Sequence, residues 1–217
     1  PLLALAPMLI IALGGCGLML AEAYAHFTDE KDKGPSSELA IPTAVTLFVA
    51  AAMAAGLWMK GPETIEGFKS VAPYLLLDRF TLFFTVVTCL GGGLAALLAG
   101  GYLPEHNLDR GEFYPLLIFS TLGCVILAAS GDLLSLFLGL ETMSLGVYAM
   151  TGFRRGSARS AEAALKYFLL GSFAAALLLY GGALLYGATG HTDLVGIGQV
   201  LTKGGRLPYP MVVFAFT

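Results

Sequence analysis

Two charged side chains fall inside stretches otherwise apolar enough to cross a lipid bilayer, and chemistry would reside there first. Glu141 lies near the midpoint of the run DLLSLFLGLETMSLGVYAMTGF. A helix over that run carries the carboxylate to the middle of the hydrocarbon layer, where an acidic residue costs about 2.5–3.5 kcal/mol. Such a group is expected to face protein or water rather than lipid, and an ionisable residue at that depth reads by default as part of a proton or ion path. Helical spacing sets Ser144 at i+3 and Tyr148 at i+7 on the same face, a polar stripe rising toward Gly152 that could order water. The competing reading is that Glu141 pairs with a neighbouring helix and only holds a bundle together.

Lys166 sits roughly one and a half turns into AEAALKYFLLGSFAAALLLYGGALLY, with Glu162 four residues before it. Two readings stand open. A glutamate at i−4 is the favourable orientation for a helical ion pair, and a lysine near a helix end can reach the interface with its amine. If Lys166 instead faces the bundle, it is a second group able to exchange a proton within the membrane. Asp132, after Ser130 and Gly131, is expected to cap the Glu141 helix and to follow a tight turn that packs that helix antiparallel to the one before, which would keep Glu141 beside it. Asp132 and Glu162 are thus helix-end charges on spacing alone, as are Glu22 and the pair Asp78, Arg79.

The elements that must carry these groups are set by composition. Of 217 residues, 57% are hydrophobic and 12% charged, and the mean hydropathy is +0.79. An average soluble domain is about a quarter charged, so this chain is read as an all-α, polytopic membrane protein. Six apolar runs have the length of a spanning helix, about 20 residues: 2–22, 39–59, 79–100, 113–130, 132–152 and 160–188. A seventh is expected to begin at Met211, and the first residue is Pro, so the chain reads as a piece of a longer protein. The first run has no basic leader and is too long for a signal-peptide core, so it is expected to be retained. Segments 23–38, 101–112 and 189–210 are expected to be loops outside the membrane.

Lys and Arg are spread almost evenly between alternate loops. The most one-sided is FRRGSARSAE, with Arg154, Arg155 and Arg159, and the rule that short basic loops stay inside puts it in the cytoplasm and the amino terminus outside. Gly92, Ala96 and Gly100, and the run Ala174, Ala175, Ala176, are expected to serve close helix packing.

Other chemistry finds little support. A net charge of −3 offers no basic stripe for nucleic acid. Cys16, Cys89 and Cys124 are isolated in separate runs, and His26, His106 and His191 fall in polar connectors, so no disulfide or metal site is assigned. Gly196 and Gly198 begin a G-x-G, but Leu201 stands where a third glycine is needed, and the stretch is read as a loop. No hydrolase motif is present, so no catalytic residue is named.

The stretch GDLLSLFLGLETMSLGVYAMTGFRR followed by SAEAALKYFLLGSFAAALLLYGGALLYGATG resembles the antiporter-like membrane subunits of respiratory complex I, the proton-pumping NADH:quinone oxidoreductase, and among them the subunit N type. The resemblance is most specific over about 113–190 and rests on helix order and hydropathy before that. It implies a fourteen-helix fold in which 1–112 is the three leading helices with their loops and 113–217 is the first part of an inverted-repeat unit. It implies a proton path through Glu141 and Lys166, coupled to quinone reduction elsewhere. NAD, flavin, iron–sulfur clusters and quinone would belong to partner subunits and none to this chain. The partners implied are adjacent antiporter-like and quinone-module subunits, within an energy-transducing membrane such as the bacterial plasma membrane. A subunit of a multisubunit cation/proton antiporter and an inert membrane scaffold are the alternatives.

Overall fold

With no water in a bilayer core to satisfy backbone N–H and C=O groups, apolar runs of this length close their hydrogen bonds internally as helices. A computed structural model describes residues 2–28, 36–61 and 72–202, and these form helices α1 (Leu2–Thr28), α2 (Ala40–Lys60), α3 (Arg79–Glu105), α4 (Phe113–Ala129), α5 (Leu133–Thr151), α6 (Ala158–Thr189) and α7 (Leu194–Thr202), with a short 3-10 turn, Ser36–Leu39, ahead of α2. Five of them, α1, α2, α3, α5 and α6, are long and apolar enough to cross a membrane. The sixth expected span, α4, has 17 apolar residues, the lower end of the spanning range. The protein is an integral, multi-pass membrane protein of all-α class.

Side-chain caps start three of the long helices. Asp78 Oδ1 accepts from the Thr81 amide at 2.8 Å, Asp132 Oδ1 from the Leu134 amide at 2.7 Å, and Ser157 Oγ from the Ser160 amide at 3.3 Å. Each satisfies one of the orphan donors that a helix start leaves. Gly190, at φ 72°, closes α6 in the left-handed conformation glycine tolerates, and its amide donates to the Tyr186 carbonyl at 2.7 Å.

Helices α4 and α5, and α5 and α6, run antiparallel, and α4 sits at the centre, against α1, α3 and α5. The main core joins Ala4, Met8 and Ile11 of α1, Leu47 and Ala51 of α2, Cys89 of α3, and Ile118 and Val125 of α4. Gly92 packs toward Thr121 and Leu47 and Ala96 is fully buried, while of Ala174, Ala175 and Ala176 in α6 only Ala175 is buried. Among the described spanning helices α6 packs chiefly against α5, and most of its side chains are exposed.

Several boundaries differ from the sequence expectation. Helix α1 continues through Thr28 into the expected loop 23–38, and α3 continues through Pro104 to Glu105, because helix geometry does not end where hydropathy does. The expected loop 189–210 contains α7, so Gly196 and Gly198 are helical. The reason is a cap: the Asp193 carboxylate accepts from the Gly196 amide at 2.7 Å, and a Cβ on Gly196 would stand 2.6 Å from His191 Nδ1. The helix expected from Met211 lies outside the described residues. Cys89 is buried, Cys124 half-buried and Cys16 exposed, all as free thiols.

Candidate functional site

The turn between α4 and α5 is three residues long, and its backbone is tied down on both sides. The Gly131 amide donates to the Tyr74 carbonyl and the Leu133 amide to the Thr192 carbonyl, each at 3.0 Å, while the Leu194 amide donates to the Gly131 carbonyl at 3.0 Å. Asp132, fully buried, caps α5 with Oδ1, and its Oδ2 has no hydrogen-bond partner among the described residues. Across from it, Asp193 caps α7. The Gly196 amide, and then the His191 ring with Nδ1 3.3 Å from Asp193 Oδ1, hold the Asp193 carboxyl below its ordinary range.

From this anchor α5 descends beside α4 at a distance only glycine allows. A Cβ on Gly139 would stand 2.6 Å from the Leu127 amide nitrogen, one on Gly146 2.9 Å from the Leu116 carbonyl oxygen, and one on Gly123 2.7 Å from the Met143 Cα. Ser120 Oγ donates to the Met143 carbonyl at 3.2 Å across the same seam. Small residues of this kind let membrane helices approach backbone to backbone.

Glu141 is not on that seam. At about 100° per residue it lies roughly 200° round from Gly139, so the tight turn does not set it beside the fourth helix as the connection alone suggested. Gly139 and Gly146 occupy that side, and Glu141 shares its face with Tyr148. Tyr148 is buried against α6: its ring meets Tyr167 edge-on at 4.9 Å and Phe168 at 5.8 Å, and its hydroxyl lies against Gly171. Ser144 is buried as well. Glu141 itself is half-buried, with Oε1 sealed from solvent and without a hydrogen-bond partner among the described residues. The structure therefore assembles Glu141, Ser144 and Tyr148 as one stripe turned away from α4.

Lys166 is elsewhere. Facing pairs along the α5–α6 contact are Gly152 with Ala164, Tyr148 with Gly171, and Leu133 with Gly182, which sets Glu141 level with the buried Ala175. Lys166 is nine residues from that level, roughly 14 Å along the axis, and about 200° round from Ala164. Its amine bonds Glu162 at 2.5 Å, with the two side chains 74% and 63% exposed. Glu162 and Lys166 form the i,i+4 pair that spacing suggested, and Lys166 and Glu141 do not meet. In the basic loop, Arg155 pairs with Glu112 at 3.2 Å. His106 stacks on Tyr102.

No group of three or more metal-ligating side chains forms among the described residues. Two grooves, of about 420 and 450 Å³, open on the flanks of the bundle with mostly apolar linings, and Glu141 lines neither. Sequence reading missed the α4–α5 glycine seam and the Asp193 cap. The spacing of Gly139 and Gly146, seven residues apart, was the available signal for the first.

Residues 130–216 match the family described as "NADH:quinone oxidoreductase/Mrp antiporter, TM". Over 98% of its length the chain is 65% identical to "NADH-quinone oxidoreductase subunit N 1" of Sorangium cellulosum, of which it covers 43%. It is 39% identical to "NADH-quinone oxidoreductase subunit N" of Myxococcus xanthus over 92% of its length and 37% of that protein's. Among solved structures, a chain of respiratory complex I from Thermus thermophilus with bound aureothin superposes with a TM-score of 0.68 at 33% identity, covering 96% of this chain and 41% of that one. A chain of an archaeal membrane-bound sulfane sulfur reductase shares the fold, with a TM-score of 0.72 at 20% identity. The chain thus spans about two fifths of the length of the relatives it matches.

Proposed function

This chain belongs to the NADH:quinone oxidoreductase/Mrp antiporter transmembrane family, and from that membership we propose that it serves as a membrane subunit of a proton-translocating NADH:quinone oxidoreductase. The observation that carries the reading is Glu141, an acidic side chain in mid-helix with one oxygen sealed from solvent and unpartnered among the described residues. Leaving a buried polar oxygen unpaired costs about 1–3 kcal/mol, a cost that a proton on the carboxyl or an ordered water would offset. Glu141 would hold or relay a proton, with Ser144 and Tyr148 ordering water on the same face. Lys166, held by Glu162 on the exposed side of α6, would act from the opposite face of that helix.

In this reading residues 1–112 are the leading helices and 113–217 begin the ion-moving unit. NADH, flavin, iron–sulfur clusters and quinone are handled by partner subunits, in an energy-transducing membrane such as the bacterial plasma membrane, with the basic loop on the cytoplasmic side. Movement of charge along the membrane arm would alter the field at Glu141 and so its hold on a proton.

NADH-driven acidification of inverted membrane vesicles carrying Glu141→Gln in the full-length protein tests the proposal, with assembly and electron transfer measured in parallel. Loss of pumping with electron transfer and assembly intact is expected. Undiminished pumping refutes the role of Glu141. The family description also covers Mrp antiporters, which favours a second reading as a subunit of a cation/proton antiporter. Proton movement that requires a sodium gradient and not NADH would select that reading.

A further inference from the structure

We propose that Gly123 of α4 is a positioning residue for Glu141, an inference that rests on the proton-carrying reading of Glu141 above. Gly123 faces the turn of α5 that bears Glu141. A Cβ there would collide with the Met143 amide nitrogen, 2.7 Å from the Met143 Cα and 2.8 Å from the Gly139 carbonyl oxygen. These are backbone atoms flanking Glu141 in sequence, so no side-chain rotation relieves the contact. Gly139 returns it, with Leu127 N and Cα at 2.6 and 2.9 Å from its own added Cβ, and the Ser120 hydroxyl fastens the Met143 carbonyl at 3.2 Å.

On its far side, about two turns from Glu141, α5 rests on α6 where the Tyr148 hydroxyl fills the space over Gly171. Helix α5 is therefore clamped between two glycines. The depth and rotation of Glu141 follow from the clamp, since a methyl group on Gly123 would drive the turn away from α4 by on the order of 1 Å. Glu141 lies on the opposite side of that turn and would be pushed toward α6. A shift of about this size at a reacting group can reduce rates by about a hundredfold.

The test uses the full-length protein in its assembled complex. Gly123→Ala is expected to lower proton movement per electron-transfer turnover by about tenfold or more and to shift the infrared carboxyl band that disappears in Glu141→Gln. Gly92→Ala is the control: it crowds Thr121 Oγ1 and Leu47 Cδ1, at 2.8 and 3.1 Å, side chains of α4 and α2 rather than of α5, and should leave that band in place. Ser120→Ala loosens the same seam without a clash and should shift the band by a smaller amount, which decides the matter where Gly123→Ala does not assemble. An unmoved band in assembled Gly123→Ala, or in Ser120→Ala, or an equal shift in Gly92→Ala, overturns the positioning role. Full pumping by Glu141→Gln would instead remove the transport reading beneath it.

Discussion

The contact between Tyr148 and Gly171 can be weighed by a double-mutant cycle. An added Cβ on Gly171 overlaps the Tyr148 hydroxyl and lies 2.6 Å from its Cζ and 3.1 Å from its Cε1. Gly171→Ala gains about 0.8–1 kcal/mol of helix propensity and loses about 1–3 kcal/mol to overpacking. The net expectation is a loss of about 1 kcal/mol. Tyr148→Phe removes the worst overlap but leaves Cζ too close, so it relieves part of the strain. In the double variant the two changes should not add, and the coupling should favour the double variant by about 0.5–1 kcal/mol, above the scatter expected for independent sites. The assay is the midpoint of thermal unfolding of the purified, detergent-solubilised full-length protein at one fixed scan rate. Gly171→Ala stabilising by its full propensity gain, or additive behaviour in the cycle, would refute the close packing of α5 on α6.

Two further outcomes follow from the same geometry. Lys166→Gln breaks an ion pair whose members are mostly exposed, and such i,i+4 pairs contribute about 0.3–0.5 kcal/mol, so thermal stability should barely move; a proton flux that is also unchanged would take Lys166 out of the proposed path. The Asp193 carboxyl, held below its ordinary 3.8 chiefly by the Gly196 amide, favours the folded α7 cap at all pH values above that figure and ceases to do so as pH falls through its lowered folded value. The protection factor of the Gly196 amide, referred to the intrinsic exchange rate at each pH, should hold at pH 5 and fall only in strong acid, and loss of protection already at pH 5 would contradict the cap.

Membership in the membrane class, the number and order of the long helices, and the residues that stand out in them were legible from the sequence, because each depends on local composition and on a fixed helical period. The runs holding Glu141 and Lys166 became α5 and α6 within a residue or two at each end. Asp132 and Asp78 were placed at helix ends for the same local reason, and both cap helix starts. What those residues face was a different matter. The short turn after α4 suggested Glu141 beside that helix, yet two glycines claimed the seam, since only they let the backbones meet. Among the described residues the phase of α6 turns Lys166 away from α5 and onto Glu162. Helix α7 was read as a loop because two glycines and a polar approach outweighed its apolar residues, while the cap formed by Asp193 with Gly196 appears only when the chain is closed. Spacing along one chain specifies which residues share a face, and packing between chains of atoms far apart in sequence decides what that face meets.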